Sequence, residues 1–161
     1  MSKFSTSLIA ALAAVAILAA PVAVSAMGSG GGSSSTAKKV DPDYTQGVKA
    51  VDAQDWKRAI TLLTGVVQRD NKNADAFNYL GYSFRKSGDY DSAFISYKKA
   101  LKINPDHKGA HEYIGEAYLE TGDLAQAEAH LKRLDSLCLF GCAEYTALKK
   151  AVAAYKANQQ S

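Results

Sequence analysis

The two cysteines are the residues of this sequence whose chemistry is easiest to frame. Cys138 and Cys142 are the only cysteines, and they flank the tripeptide Leu139-Phe140-Gly141. A glycine turn of this length brings two side chains within reach of a disulfide, and an oxidising compartment would preserve the bond. We therefore expect a structural disulfide. A redox-active pair, a metal site and two buried free thiols stay open as alternatives, although the spacing is not the C-x-x-C of thiol oxidoreductases.

The histidines are the other candidate ligands. His107 and His111 are four residues apart, a spacing that can place two side chains on one side of a helix. We expect His107 to lie before a helix start and His111 to be a packed or partly exposed imidazole. A zinc or copper ligand, with one histidine joining the cysteines, is the alternative.

No catalytic motif accompanies these residues. The sequence contains no nucleophile elbow, no P-loop and no H-E-x-x-H motif. We therefore expect no enzymatic activity of the chain's own, no cofactor and no metal. The formal net charge of +3 is too small and too dispersed to indicate nucleic-acid binding.

Residues 1–26 have the composition of a secretory signal peptide. Lys3 is their only charged residue, an apolar run follows from Leu8 to Ala20, and small residues lead to Ala26. We predict cleavage after Ala26. The protein would then be exported, most simply to a bacterial periplasm, with no stable membrane insertion after cleavage. A secreted protein, or one anchored by an uncleaved N-terminal segment, is the alternative. Residues 27–39 are rich in Gly and Ser and predict a flexible linker.

The elements that must position these side chains come from a repeat. Residues 74–107 form a pattern of two amphipathic helices, separated by Gly88, which permits a helix stop, and Asp89, which can cap the next helix. Small residues recur at intervals of 34 residues, as Gly47, Gly81 and Gly115 in the first helices and Ala59, Ala93 and Ala127 in the second. Small side chains at fixed spacing predict positions where two helices pack closely.

Three units follow from this spacing, at about residues 40–73, 74–107 and 108–141. They predict helices at about residues 42–54, 56–69, 74–87, 90–103, 108–121 and 124–137. Another amphipathic stretch lies within residues 142–158, and no partner helix follows it. Because the terminal unit of a solenoid needs a polar outer face, we interpret this stretch as a capping helix. The folded domain is then predicted to span residues 40–158.

A repeat of this length and pattern resembles the tetratricopeptide repeat. The resemblance implies an all-α solenoid of three helix–turn–helix repeats plus the C-terminal capping helix. In this family the first helices line a concave groove that binds peptides or helices of partner proteins. Carried over position by position, the groove would contain Tyr44, Val48, Asn78, Tyr82, Arg85, Lys86, Glu112, Glu116 and Glu120.

The resemblance implies a protein-interaction adaptor or scaffold whose partner is a peptide or helix of unknown identity. A thiol-redox or metal-handling protein that uses Cys138, Cys142 and a histidine is one alternative, and a self-assembling scaffold is another. Within the groove we expect Tyr82 to be exposed and Phe84 to be buried, because two residues along a helix turn by about 200°. The glutamates form either a docking strip for a basic segment or a solvated face that the neighbouring basic residues partly neutralise.

Overall fold

The computed structural model describes residues 41–159, and the predicted signal peptide and linker lie outside them. The described part consists of seven α-helices and contains no strand. The helices are α1 (Pro42–Asp52), α2 (Trp56–Arg69), α3 (Ala74–Lys86), α4 (Tyr90–Ile103), α5 (Lys108–Glu120), α6 (Leu124–Leu137) and α7 (Ala143–Asn158). None of these helices is long and apolar enough to cross a membrane. Each begins and ends within two residues of its predicted position.

The second helix of every pair begins at an aspartate. The side chains of Asp55, Asp89 and Asp123 each accept a hydrogen bond of 3.1 Å from a backbone N–H three residues on. Such caps satisfy one of the N–H groups that a helix start leaves without an intrahelical partner. The preceding turn requires a left-handed residue, supplied by Gly88 and Gly122 at φ of 87° and 88°. In the first pair Gln54 takes that conformation, at φ 58°.

The helices pack as three consecutive pairs, α1 with α2, α3 with α4 and α5 with α6. The small residues of the repeat lie at the crossings, where Ala59, Ala93 and Ala127 are fully buried. The prediction of three helix–turn–helix units is therefore confirmed.

Helix α7 packs against both α5 and α6 and buries Leu148 and Val152. At Gly47 and Gly81, a side chain from the second helix of the same pair fills the space, Leu63 and Tyr97 respectively. At Gly115 the nearest side chain is instead Leu148 of α7. The capping helix thus docks into the close crossing of the third unit, and the predicted cap is confirmed.

Candidate functional site

The four helices that come first in their units lie side by side, because α1 packs on α3, α3 on α5 and α5 on α7. We call the surface that they form the groove face. Its residues are those predicted from the sequence, namely Tyr44, Val48, Asn78, Tyr82, Arg85, Lys86, Glu112, Glu116 and Glu120. Most are exposed or partly buried, whereas Asn78 and Arg85 are buried, at 5% and 3% exposure.

Aromatic side chains run from the first unit to the third. The ring of Tyr82 lies 5.9 Å from Trp56 and 4.8 Å from Tyr113, measured between centroids. Tyr44 packs edge-on against Tyr79 at 6.3 Å. The expectation that Tyr82 is exposed and Phe84 buried is wrong in this form, because both are partly buried. Tyr82 loses exposure to aromatic neighbours in the units on either side, which a single-helix argument does not include.

Arg85 joins α3 to α5. Its guanidinium lies 2.7 Å from Glu116 and 2.7 Å from Glu120, and it stands 5.3 Å from the centroid of the Tyr82 ring. Burial acts to lower the pKa of Arg85, but the neighbouring Tyr97 and the two glutamates outweigh it and raise that pKa above its ordinary value. Arg85 is therefore a fixed, charged part of the groove wall, not the freely accessible contact that the sequence pattern implied.

Glu112 has a different environment from the other two glutamates. Burial raises its pKa to about 7, with further contributions from the nearby carboxylates of Glu116 and Glu144. In the part of the chain that the structure describes, neither Glu112 nor Glu144 forms an ion pair. A half-buried carboxyl group without a cation is costly to ionise. This end of the groove face therefore carries acidic groups that the fold itself does not neutralise.

A pocket of about 500 Å³ opens on the groove face between α3, α5 and α7. Arg85, Lys86, Glu116 and Glu120 line it from the predicted site. Tyr155 and Asn158 of the capping helix also line it, and sequence reasoning did not assign them. Their signal was available, because the groove-facing pattern of α5 could have been extended into α7.

The sulfur atoms of Cys138 and Cys142 lie at bonding distance, and their Cα atoms are 5.6 Å apart. The loop between them presents Leu139 and Phe140 to solvent. Among the described residues, no group of three or more His, Cys, Asp and Glu side chains is arranged to hold a metal ion.

Two of the three histidines meet at the crossing of α5 and α6. His111 Nδ1 lies 2.8 Å from His130 Nδ1, and His111 Nε2 lies 2.9 Å from the carbonyl oxygen of Pro105. Because that oxygen can only accept, His111 Nε2 donates to it and His130 Nδ1 must donate to His111. Burial lowers the pKa of both rings, that of His130 to about 4. His107 instead caps α5, accepting from the N–H of Ala110.

Comparisons with known proteins agree with this architecture. A curated relative, protein O-mannosyl-transferase Tmtc3 of Drosophila melanogaster, is 27% identical over 74 residues, which is 46% of this chain and 8% of the fly protein. The chain therefore spans less than a tenth of the fly protein. Superkiller complex protein 3 of Mus musculus is 31% identical over 93 residues, covering 54% of this chain and 6% of its own length.

Solved structures extend the comparison. PcrH, in complex with the chaperone binding region of PopD, has a TM-score of 0.63 and 23% identity, covering 73% of this chain and 89% of its own. The Yersinia enterocolitica chaperone SycD, in complex with a peptide of the translocator YopD, has a TM-score of 0.64 and 21% identity, covering 73% and 92%. At such identities these likenesses show the fold. Two tetratricopeptide-repeat family profiles match residues 44–107 and 84–152. Since together they span the helix pairs and most of the cap, this chain belongs to the tetratricopeptide-repeat family.

Proposed function

We propose that this protein is an exported interaction adaptor that binds a segment of a partner protein along the groove face. The observation that carries the proposal is the groove face itself, where partly exposed apolar and aromatic side chains such as Tyr44, Val48 and Tyr82 lie beside charged ones. Two of the similar solved proteins hold a partner segment, which supports the same use here.

The physical basis is a rigid support with few moving parts. The groove side chains stand on helices whose opposite faces are locked by the buried crossings at Ala59, Ala93 and Ala127. A preorganised surface loses little conformational entropy on binding, so more of the contact energy appears as affinity. An extended or helical segment could lie across the four first helices, with its apolar side chains on the rings and its polar groups near Asn78 and Lys86.

We assign the protein to an exported, most simply periplasmic, location on the composition of residues 1–26. In that compartment the pair Cys138 and Cys142 would form a structural disulfide, which closes the loop before the capping helix. A redox or metal-handling role would instead require free thiols. Thiol quantification on protein purified from the exporting compartment separates the two roles, because a quantitatively oxidised pair that resists mild reductant fits only the structural one.

Site-specific photocrosslinking tests the binding surface. A photoreactive amino acid replaces Val48 on the groove face in one variant and Ile95, which is 71% exposed on α4, in a matched control. After irradiation in the native compartment, we expect partner adducts from position 48 and none from position 95. Equal adducts from both positions, or adducts from position 95 alone, would move the binding surface away from the groove.

A further inference from the structure

The chemistry of the groove face changes along the solenoid. Equivalent groove positions, spaced by 34 residues, carry Tyr44, Asn78 and Glu112 in one row and Val48, Tyr82 and Glu116 in the next. The first two units therefore contribute apolar and neutral polar side chains, and the third contributes carboxylates. A partner segment that spans all three units must match both ends.

The acidic end retains a surplus of negative charge after the internal ion pairs are counted. Arg85 contacts Glu116 and Glu120, so one guanidinium is shared by two carboxylates. Glu112 and Glu144 lie close enough to influence each other electrostatically. Within the described residues, neither has a cationic partner. Carboxylates arranged this way in a partly buried site attract a cation, because the local dielectric is lower than that of water.

A second observation points to the same kind of ligand. The Asn78 side chain is buried at 5% exposure, and its Oδ1 accepts no hydrogen bond from the described residues. The amide lies beside the first turn of α5, since a Cβ atom on Gly109 would be 3.2 Å from Asn78 Nδ2. Glu112 follows one turn later on the same helix. A buried acceptor without a donor is costly, and a ligand that brings N–H groups would relieve that cost.

We propose that the partner segment is basic and amphipathic, with a lysine or arginine side chain bound among Glu112, Glu116 and Glu144 and an apolar side chain on Tyr44, Val48 and Tyr82. This proposal rests on the proposed function, since it names the class of segment that the same groove accepts. The ammonium or guanidinium supplies the missing positive charge and the missing donors together. An acidic segment would add a like charge to an uncompensated site and is rejected.

Binding of such a segment is coupled to a proton. A cation beside Glu112 favours its ionised form, and the pKa of this carboxyl is about 7 in the free protein. Near neutral pH the basic segment therefore displaces a proton as it binds, and affinity rises between about pH 6 and pH 8.

Selection from a displayed library of random peptides of about 12 residues tests the proposal without a known partner. The library is selected in parallel on the wild-type protein, on the double variant Glu112→Gln/Glu144→Gln and on Glu128→Gln as a control. Glu128 pairs with Lys156 away from the groove positions, so the control removes the same charge elsewhere. Circular dichroism melting checks that each variant is folded.

We expect wild-type binders to be enriched in Lys and Arg, and the double variant to bind them roughly tenfold more weakly, which corresponds to about 1.4 kcal/mol. Glu128→Gln should bind them unchanged. Calorimetry of one enriched peptide in buffers of different ionisation enthalpy should show proton release. Binders that compete for the groove but lack basic enrichment would overturn this inference and leave the proposed function intact. If no library peptide binds the groove face of the wild type, both fall.

Discussion

Gly81 gives the sharpest test of how the repeat packs. A Cβ atom at this position would lie 2.7 Å from two ring carbons of Tyr97, and Tyr97 is fully buried, so its ring cannot withdraw into solvent. Overpacking a core costs about 1–3 kcal/mol, and a contact this short belongs in the upper half of that range. Replacing Gly by Ala in a helix gains about 1 kcal/mol. We therefore expect Gly81→Ala to lower the free energy of unfolding by about 1–2 kcal/mol.

Gly65→Ala is the matched control, because it makes the same chemical change in α2. The nearest atom to a Cβ at Gly65 is Nη1 of Arg69, at 3.1 Å, which is the end of a flexible side chain. This variant should keep most of the helix-propensity gain and stabilise the protein by about 0.5–1 kcal/mol. Urea denaturation followed by circular dichroism measures both variants, and the two changes are expected to have opposite signs.

The reasoning would be refuted if Gly81→Ala were as stable as the wild type or more stable. A double-mutant cycle with Tyr97→Leu supplies a second check, because Leu63 fills the equivalent crossing of the first unit. If the clash is the cause, Gly81→Ala should cost less in the Tyr97→Leu background than in the wild type. Equal costs in both backgrounds would place the effect elsewhere.

Four further results are expected. Arg85→Met should lower the free energy of unfolding by about 2–3 kcal/mol in denaturation experiments, because it leaves partly buried carboxylates unpaired. Replacing Cys138 and Cys142 with serine should cost about 2 kcal/mol at most, since the loop that the disulfide would close is short; a larger loss would imply a role beyond loop closure. The folded-state pKa of His130 is about 4, below its value in the unfolded chain, so unfolding releases no protons there but takes them up. Stability should therefore fall as pH drops from about 6.5 towards 4, and His130→Gln should flatten that fall. Glu112→Gln should stabilise the protein at about pH 8 and leave it unchanged at about pH 5, because the carboxyl is already protonated there.

The fold could be predicted because its determinants are local and repeated. Gly81 and Ala93 recur with the unit, and Asp89 marks a helix start at the same place in each unit. These residues act through contacts within one helix pair, so their spacing in the sequence carries nearly all the information needed to position them. That is why the helix limits agree within two residues.

The site was less predictable because its details come from contacts between units. The partial burial of Tyr82 depends on Trp56 and Tyr113, which belong to neighbouring units. The contact between His111 and His130 joins two helices at positions 19 residues apart, a separation that matches no periodic pattern. The pattern placed the right residues on the groove face, but it did not show which of them the fold already uses.

Arg85 and Glu112 show how the fold distributes charge between stability and binding. By contacting Glu116 and Glu120, Arg85 holds α3 to α5 and removes most of their charge from the part available to a partner. Glu112 receives no such compensation, and its raised pKa reports a carboxyl group that destabilises the free protein whenever it is ionised. A group that would be more stable as glutamine, yet stands in the proposed binding surface, is typical of a residue retained for binding. On this argument, Glu112 and not the more conspicuous Arg85 determines the charge of the segment that the groove accepts.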